Sequence, residues 1–220
     1  MPYRPRLKEP VLAPLVLPEL EDGDPQALQW EGRCELMRFD GADVSGRDLS
    51  GIEFTECELL RLGAHETRLR GARLLETRIE RMVSPGLNAP GCTLRGVELV
   101  GSRLGAVEMH DAEVRQLLVE DSRIDWLNLR AGRMHDVVFR NCRFGELDLA
   151  GLAAERVAFE GCTADSVQFR DAILRHVDLR GLDMAAVSGL EGMKGAVISP
   201  EQSMRLTPIF AEHFGLLVTE

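Results

Sequence analysis

An apolar side chain returns at every fifth residue from Cys34 to Met184, and this periodicity decides what the chain can fold into. The series runs Cys34, Phe39, Val44, Leu49, Phe54, Leu59 and onward without a slip, and of its 31 centres only Ser84 is polar. A second set lies two residues before each centre, including Ile52, Cys57, Val97, Val137, Cys142, Leu147 and Cys162. Its exceptions Thr67, Thr77, Ser102, Ser122 and Gly132 suit a tight interior, whereas Arg47 does not. A helix cannot carry this pattern, because five steps of about 100° leave successive centres about 140° apart and no face apolar. A flat strand fails too, since the gaps alternate between two and three and each three reverses parity. Each unit is therefore a very short strand ending in a corner.

Glycines mark the corners. Gly41, Gly51, Gly71, Gly91, Gly101, Gly151, Gly161 and Gly181 all follow centres ending in 9, against only Gly46, Gly86 and Gly96 after centres ending in 4. Because glycine accepts positive φ, corner conformation is expected to alternate every ten residues, which favours a four-sided coil of twenty residues over a triangle. Phe139 then stacks on Phe159 and Cys142 on Cys162. At about 4.8 Å per coil, the centres predict nearly eight coils and a rod of about 37 Å.

Segments such as Phe39-Asp40-Gly41-Ala42-Asp43-Val44-Ser45-Gly46-Arg47-Asp48-Leu49 resemble the A(D/N)LXX pattern of the pentapeptide-repeat family. The resemblance covers residues 34–184 and implies an all-β fold, a right-handed quadrilateral parallel β-helix, here with a C-terminal α-helical cap. It is specific for fold and unspecific for function. Family members include quinolone-resistance proteins described as mimics of DNA, so it implies a protein partner, DNA gyrase among the candidates.

Three segments are expected: an extended Pro-rich stretch over 1–30, the β-helix over 31–190, and a helical cap or dimerisation segment over 191–220. The prolines of the first disfavour a helix, and its apolar residues can cover the outward strip Leu60, Val100, Leu118 and Val138, unless those are scattered surface residues. Ser199-Pro200-Glu201-Gln202 reads as a helix start, Thr207-Pro208 as a second start and Gly215 as a stop. The tail is similar to the C-terminal helix of family members that dimerise end to end. That implies a homodimer through Ile209, Phe210, Phe214, Leu216 and Leu217; the other reading is a cap over an open strand edge.

The charge of −10 at a pI near 5.1 argues against direct nucleic-acid binding. No apolar run approaches the ~20 residues of a membrane span, and Val11 to Leu17 makes a poor signal peptide. Five cysteines at no zinc-like spacing predict reduced thiols and a cytoplasmic protein, with a Cys142–Cys162 disulfide as the other option. His65, His110, His135, His176 and His213 fall on different sides or coils, so no metal site, cofactor or catalytic residue is expected. Arg103, Arg123 and Arg143 form a like-charged row with Trp126 nearby: either a patch for an acidic partner, or solvated arginines paired with Asp125 and Glu146. Between residues 31 and 195 stand 28 acids and 22 bases, so a DNA-like polyanion would carry arginine nearly everywhere. Glu53 with Arg73 and Glu113 with Arg133 are expected to pair across coils.

Overall fold

The computed structural model describes residues 7–217. Its strands pair parallel, and from Arg33 to Ser188 each paired residue lies against the residue twenty positions on, as Cys34 on Phe54, Phe54 on Leu74, Leu99 on Val119 and Val119 on Phe139; the two end rungs, Glu21 on Met37 and Val177 on Ala196, are offset by 16 and 19. With a corner after each five residues, every coil has four faces, named here after Phe54, Leu59, Val44 and Leu49 in chain order. One 13-stranded sheet wraps the Phe54 and Leu59 faces, and a 7-stranded sheet wraps the other two. All the centres, Ser84 included, are buried or pack against the buried core.

The ladder is longer than the centres alone predict. On the Leu59 face it has ten rungs, because Glu21–Asp22 pairs with Met37–Arg38 and Ala196–Val197 with Val177–Asp178. Nine intervals at about 4.8 Å make a rod of about 43 Å. The interior polar groups are satisfied within it. Ser102 and Ser122 donate to Val100 O at 3.2 Å and Glu120 O at 2.8 Å, and their hydroxyls accept the Met82 and Ser102 amides at 3.1 and 3.0 Å. In the same column Cys162 Sγ accepts the Cys142 amide at 3.4 Å. A small side chain with an acceptor thus substitutes for a backbone carbonyl that cannot reach. Arg47, the misfit of the inner set, lies at the first coil and turns its guanidinium to Pro25 O and Leu28 O, with Leu28 buried over the end of the bore.

The corners differ from the expected alternation. Among the described residues sixteen non-glycine positions have positive φ, and they follow both classes of centre, as Glu56 after Phe54 and Arg61 after Leu59 show. The corner that departs comes once per coil: from Val83 onward the chain passes from the Val44 face toward the Leu49 face in extended form, as in Arg103–Glu108 and Arg123–Asn128. Twenty residues, rather than ten, is the period of corner conformation. At Gly41, with φ +67° and nothing within 4 Å of an added Cβ, Gly41→Ala is expected to cost about 1 kcal/mol through the backbone alone. Glu56→Gly, at φ +51°, is expected to gain up to about 0.5 kcal/mol. Denaturant midpoints of opposite shift check the pair, and a loss in both would contradict the assignment of strain.

At the far end one helix, Pro200–His213, closes the bore. Ser199 and Gln202 form the reciprocal capping box, and Gln202 Nε2 also donates to Leu179 O at 2.7 Å and Leu182 O at 2.8 Å, carbonyls of the last full coil. Thr207-Pro208 does not start a second helix. Pro208 lies inside the first, and Thr207 Oγ1 donates to Ser203 O at 3.0 Å. Gly215, at φ +68°, donates to Glu212 O and ends the helix as expected.

The Pro-rich segment is a strap along the rod. Lys8 N reaches His176 Nδ1 at 3.4 Å, Val11 N donates to Asp136 Oδ1 at 2.9 Å, and Leu15 O accepts from Arg78 Nη2 at 3.3 Å before Glu21 joins the ladder. It therefore runs against the direction of coil stacking, beside the corner between the Phe54 and Leu59 faces. From Lys8 to Val11 three residues span two coils: about 9.3 Å of polyproline-like chain against about 9.6 Å of rod. Leu7, Pro10, Leu12, Leu15 and Leu17 are half-buried, while Val11 and Val16 face outward. Val138 and Ala158 point out from their strands and are nevertheless only 6% and 9% exposed, because this edge of the Leu59 face lies under the strap.

Candidate interaction surfaces

Register places the arginine row as the sequence predicts. Arg103, Arg123 and Arg143 are direct ladder neighbours on the Val44 face, flanked by Val83 and Thr163, with Trp126 half-buried between Ala106 and Glu146 in the adjoining column. Of the expected salt bridges one forms, Arg123 Nε to Asp125 at 2.8 Å; among the described residues Glu146 pairs with none of the three. Three cations about 4.8 Å apart repel one another, and an anionic group seated across Arg103 and Arg143 would relieve that repulsion. Exposed Val83 adds an apolar edge to the row.

The remaining interaction candidates separate. Val138 lies under the strap, and Leu118 in the same column is half-buried. At the helical end, Phe214, Leu216 and Leu217 are exposed, joined by Met204, whereas Ile209 and Phe210 are half-buried. The helix spends Gln202, Leu206 and Ala211 on covering the coil, which leaves this second apolar surface unpartnered.

Acidic columns on the Leu59 face are interleaved with arginine. Arg140 bridges Glu120 at 3.1 Å and Glu160 at 2.7 Å, and Arg78 lies between Glu58 at 3.9 Å and Glu98 at 3.1 Å. Glu53 pairs with Arg73 as expected, at 3.4 Å, but Glu113 turns to Arg115 at 3.1 Å instead of to Arg133 one coil on. Two residues apart on one strand, Glu113 and Arg115 share a face and meet without crossing a coil.

A charged cluster partly withdrawn from water lies under the strap. Asp136, 5% exposed, accepts two hydrogen bonds from Arg156 at 2.6 and 2.7 Å and one from Val11 N, and its Oδ2 stands 2.9 Å from His135 Nδ1. The arrangement is consistent with an Nδ1–H on His135 donating to Asp136 while Nε2 accepts from Arg156 at 2.7 Å. The Arg156 hydrogen bonds hold the Asp136 carboxyl below the usual carboxylate range, against the opposing effect of burial. Sequence reasoning missed this cluster because Asp136 occupies a corner position whose other residues are half-buried or exposed, and the pentad pattern gives no sign of its burial.

All five cysteines are buried and free. Burial pushes the Cys34 thiol up to about 11 and Cys92 up to about 12, and the hydrogen bond to Cys162, with burial, raises Cys142. The bore holds a cavity of about 110 Å³ lined by apolar side chains and Thr67. Among the described residues no group of three or more His, Cys, Asp or Glu is placed to hold a metal ion, and no helix is long and apolar enough to cross a membrane.

No protein-family model matches the chain, and no curated protein sequence matches it. Among solved structures it is similar to a trypsin-treated variant of QnrB1, a plasmid-mediated fluoroquinolone resistance protein, at 18% identity and a TM-score of 0.42 over 87% of this chain and 91% of that one. It is also similar to HetL, a pentapeptide-repeat protein involved in regulating heterocyst differentiation in the cyanobacterium Nostoc sp., at 16% identity and a TM-score of 0.37 over 76% and 89%. At these values the likeness assigns neither partner nor activity. The pentad phase and the twenty-residue register of the chain itself make it a four-sided parallel β-solenoid.

Proposed function

We propose that this pentapeptide-repeat rod is a non-catalytic protein-interaction module whose most concrete partner is a type II topoisomerase, DNA gyrase in particular. The observation that carries the reading is a stiff rod of ten rungs in a chain of net charge −10, a shape and sign that suit a surface built for duplex DNA. Supercoiling by gyrase, assayed with and without a quinolone, tests it: inhibition or drug protection is expected at micromolar protein, and neither effect at that concentration would exclude the topoisomerase. The ion-paired ladders favour a second reading, a scaffold or protein-binding module unrelated to DNA enzymes, since Arg78 and Arg140 neutralise the columns that a mimic would present as phosphates.

The same proposal includes a homodimer through the helical end. Phe214, Leu216 and Leu217 are exposed at 72%, 62% and 94%, an apolar surface that a second copy would cover. Light scattering is expected to give twice 24.4 kDa, and Leu217→Glu with Phe214→Glu to halve it. A 24.4 kDa species at high concentration would leave the helix as a cap alone.

A further inference from the structure

An arginine-lined groove on the Phe54 face is left unexplained by any of this. Two adjoining depressions of about 450 and 490 Å³ share Glu113, Arg115 and His135 and together run from the Arg73 rung to the Arg175 rung. Small residues at Thr93 and Ala153 open the floor between larger neighbours. Arg95, Arg115, His135, Glu155 and Arg175 follow one another in a single column, one per coil. Arg115 is spent on Glu113 at 3.1 Å and Glu155 on Arg156 at 3.3 Å. Arg95, Arg133 and Arg175 are exposed and, among the described residues, form no ion pair. In a protein of net charge −10, this is a local strip of unspent positive charge.

Its spacing selects a ligand. Arg95, His135 and Arg175 recur every two coils, about 9.6 Å, and an extended polyproline-like chain repeats its side-chain direction every three residues, about 9.3 Å. The strap follows the same rise on the neighbouring corner: the backbone amides of Lys8 and Val11, three residues apart, meet His176 and Asp136, two coils apart. We propose that the groove binds an extended acidic segment of a partner protein, lying along the rod parallel to the strap, with a carboxylate at every third residue facing Arg95, Arg133 on the His135 rung, and Arg175. The site is on the face opposite the Arg103 row and stands whether or not the partner is a topoisomerase.

The probe is a labelled twelve-residue peptide of four Glu-Pro-Pro repeats, followed by fluorescence polarisation at low salt. A peptide of the same composition with its four glutamates contiguous is the control. The spaced peptide is expected to bind about tenfold more tightly than the contiguous one, and to weaken as salt rises. Arg95→Ala with Arg175→Ala is expected to abolish the preference, while Arg103→Ala with Arg143→Ala leaves it intact. Both double variants change exposed side chains, and their unfolding midpoints check that the rod persists. Equal affinity for the two peptides, equal loss in both double variants, or no binding at millimolar peptide would overturn the proposal. So would a duplex oligonucleotide that bound as tightly with the same dependence on Arg95 and Arg175, since the groove would then accept any polyanion.

Discussion

Phe139→Ala is expected to destabilise the protein by about 3–5 kcal/mol. Phe139 is 2% exposed, stacks on Phe159 with centroids 4.9 Å apart and planes at 13°, and meets the edge of Phe144 at 5.5 Å. In a globular core, neighbours could relax into the space. Here each neighbour hangs from a rung whose height is set by hydrogen bonds to the coils above and below, so the cavity persists. The stack also has its own energy: Phe139→Ala combined with Phe159→Ala should cost less than the sum of the single losses, by about 0.5–1.5 kcal/mol. Equilibrium denaturation of the four proteins measures both quantities. Strict additivity, or a single-variant loss under about 1 kcal/mol, would show that the rings do not act as a stack.

Asp136→Ala is expected to cost about 3 kcal/mol near pH 7, because it leaves Arg156 facing a half-closed site without its carboxylate and removes the acceptor of Val11 N. Arg156 retains one-fifth of its side-chain exposure, which places the effect at the low end for a broken buried pair. The pH dependence has a definite sign. Asp136 is held below its ordinary pKa in the folded protein, so its contribution is complete above the unfolded carboxylate value of about 3.9 and is lost as pH falls through the lower folded value. Wild type and variant should therefore differ fully at neutral pH and converge in strong acid. The strap should become sensitive to protease in the variant at neutral pH. A constant gap across the acid range would mean that Asp136 acts by packing rather than by charge.

The pentads were readable because the bore admits only one kind of side chain at each inward place, so thirty or more positions repeat a single constraint. The ends carry no such repetition. Glu21–Asp22 and Ala196–Val197 join the ladder through two residues each, and pairing of that length leaves no pattern. The glycine alternation led to the four-sided coil by an incomplete argument, since left-handed corners also accept glutamate and arginine, as Glu56 and Arg61 show. Glycine frequency records tolerance; the register records geometry. The arginine row was legible from its spacing of twenty. The Asp136 cluster was not, since its burial comes from the strap, a segment more than a hundred residues away in sequence.

The strap imposes an order on events. Residues 8–17 leave the ribosome well before the coils they lie against, since their partners Asp136 and His176 follow by 125 and 168 residues. At about 5–20 residues per second, the strap waits on the order of ten seconds or more before its docking surface exists. The solenoid can wind coil by coil in the meantime, each new turn templated on the last, and the strap then fastens across the finished stack, tying the first coils to the last. A modular array, in which each turn touches only its neighbours, thereby gains one long-range closure.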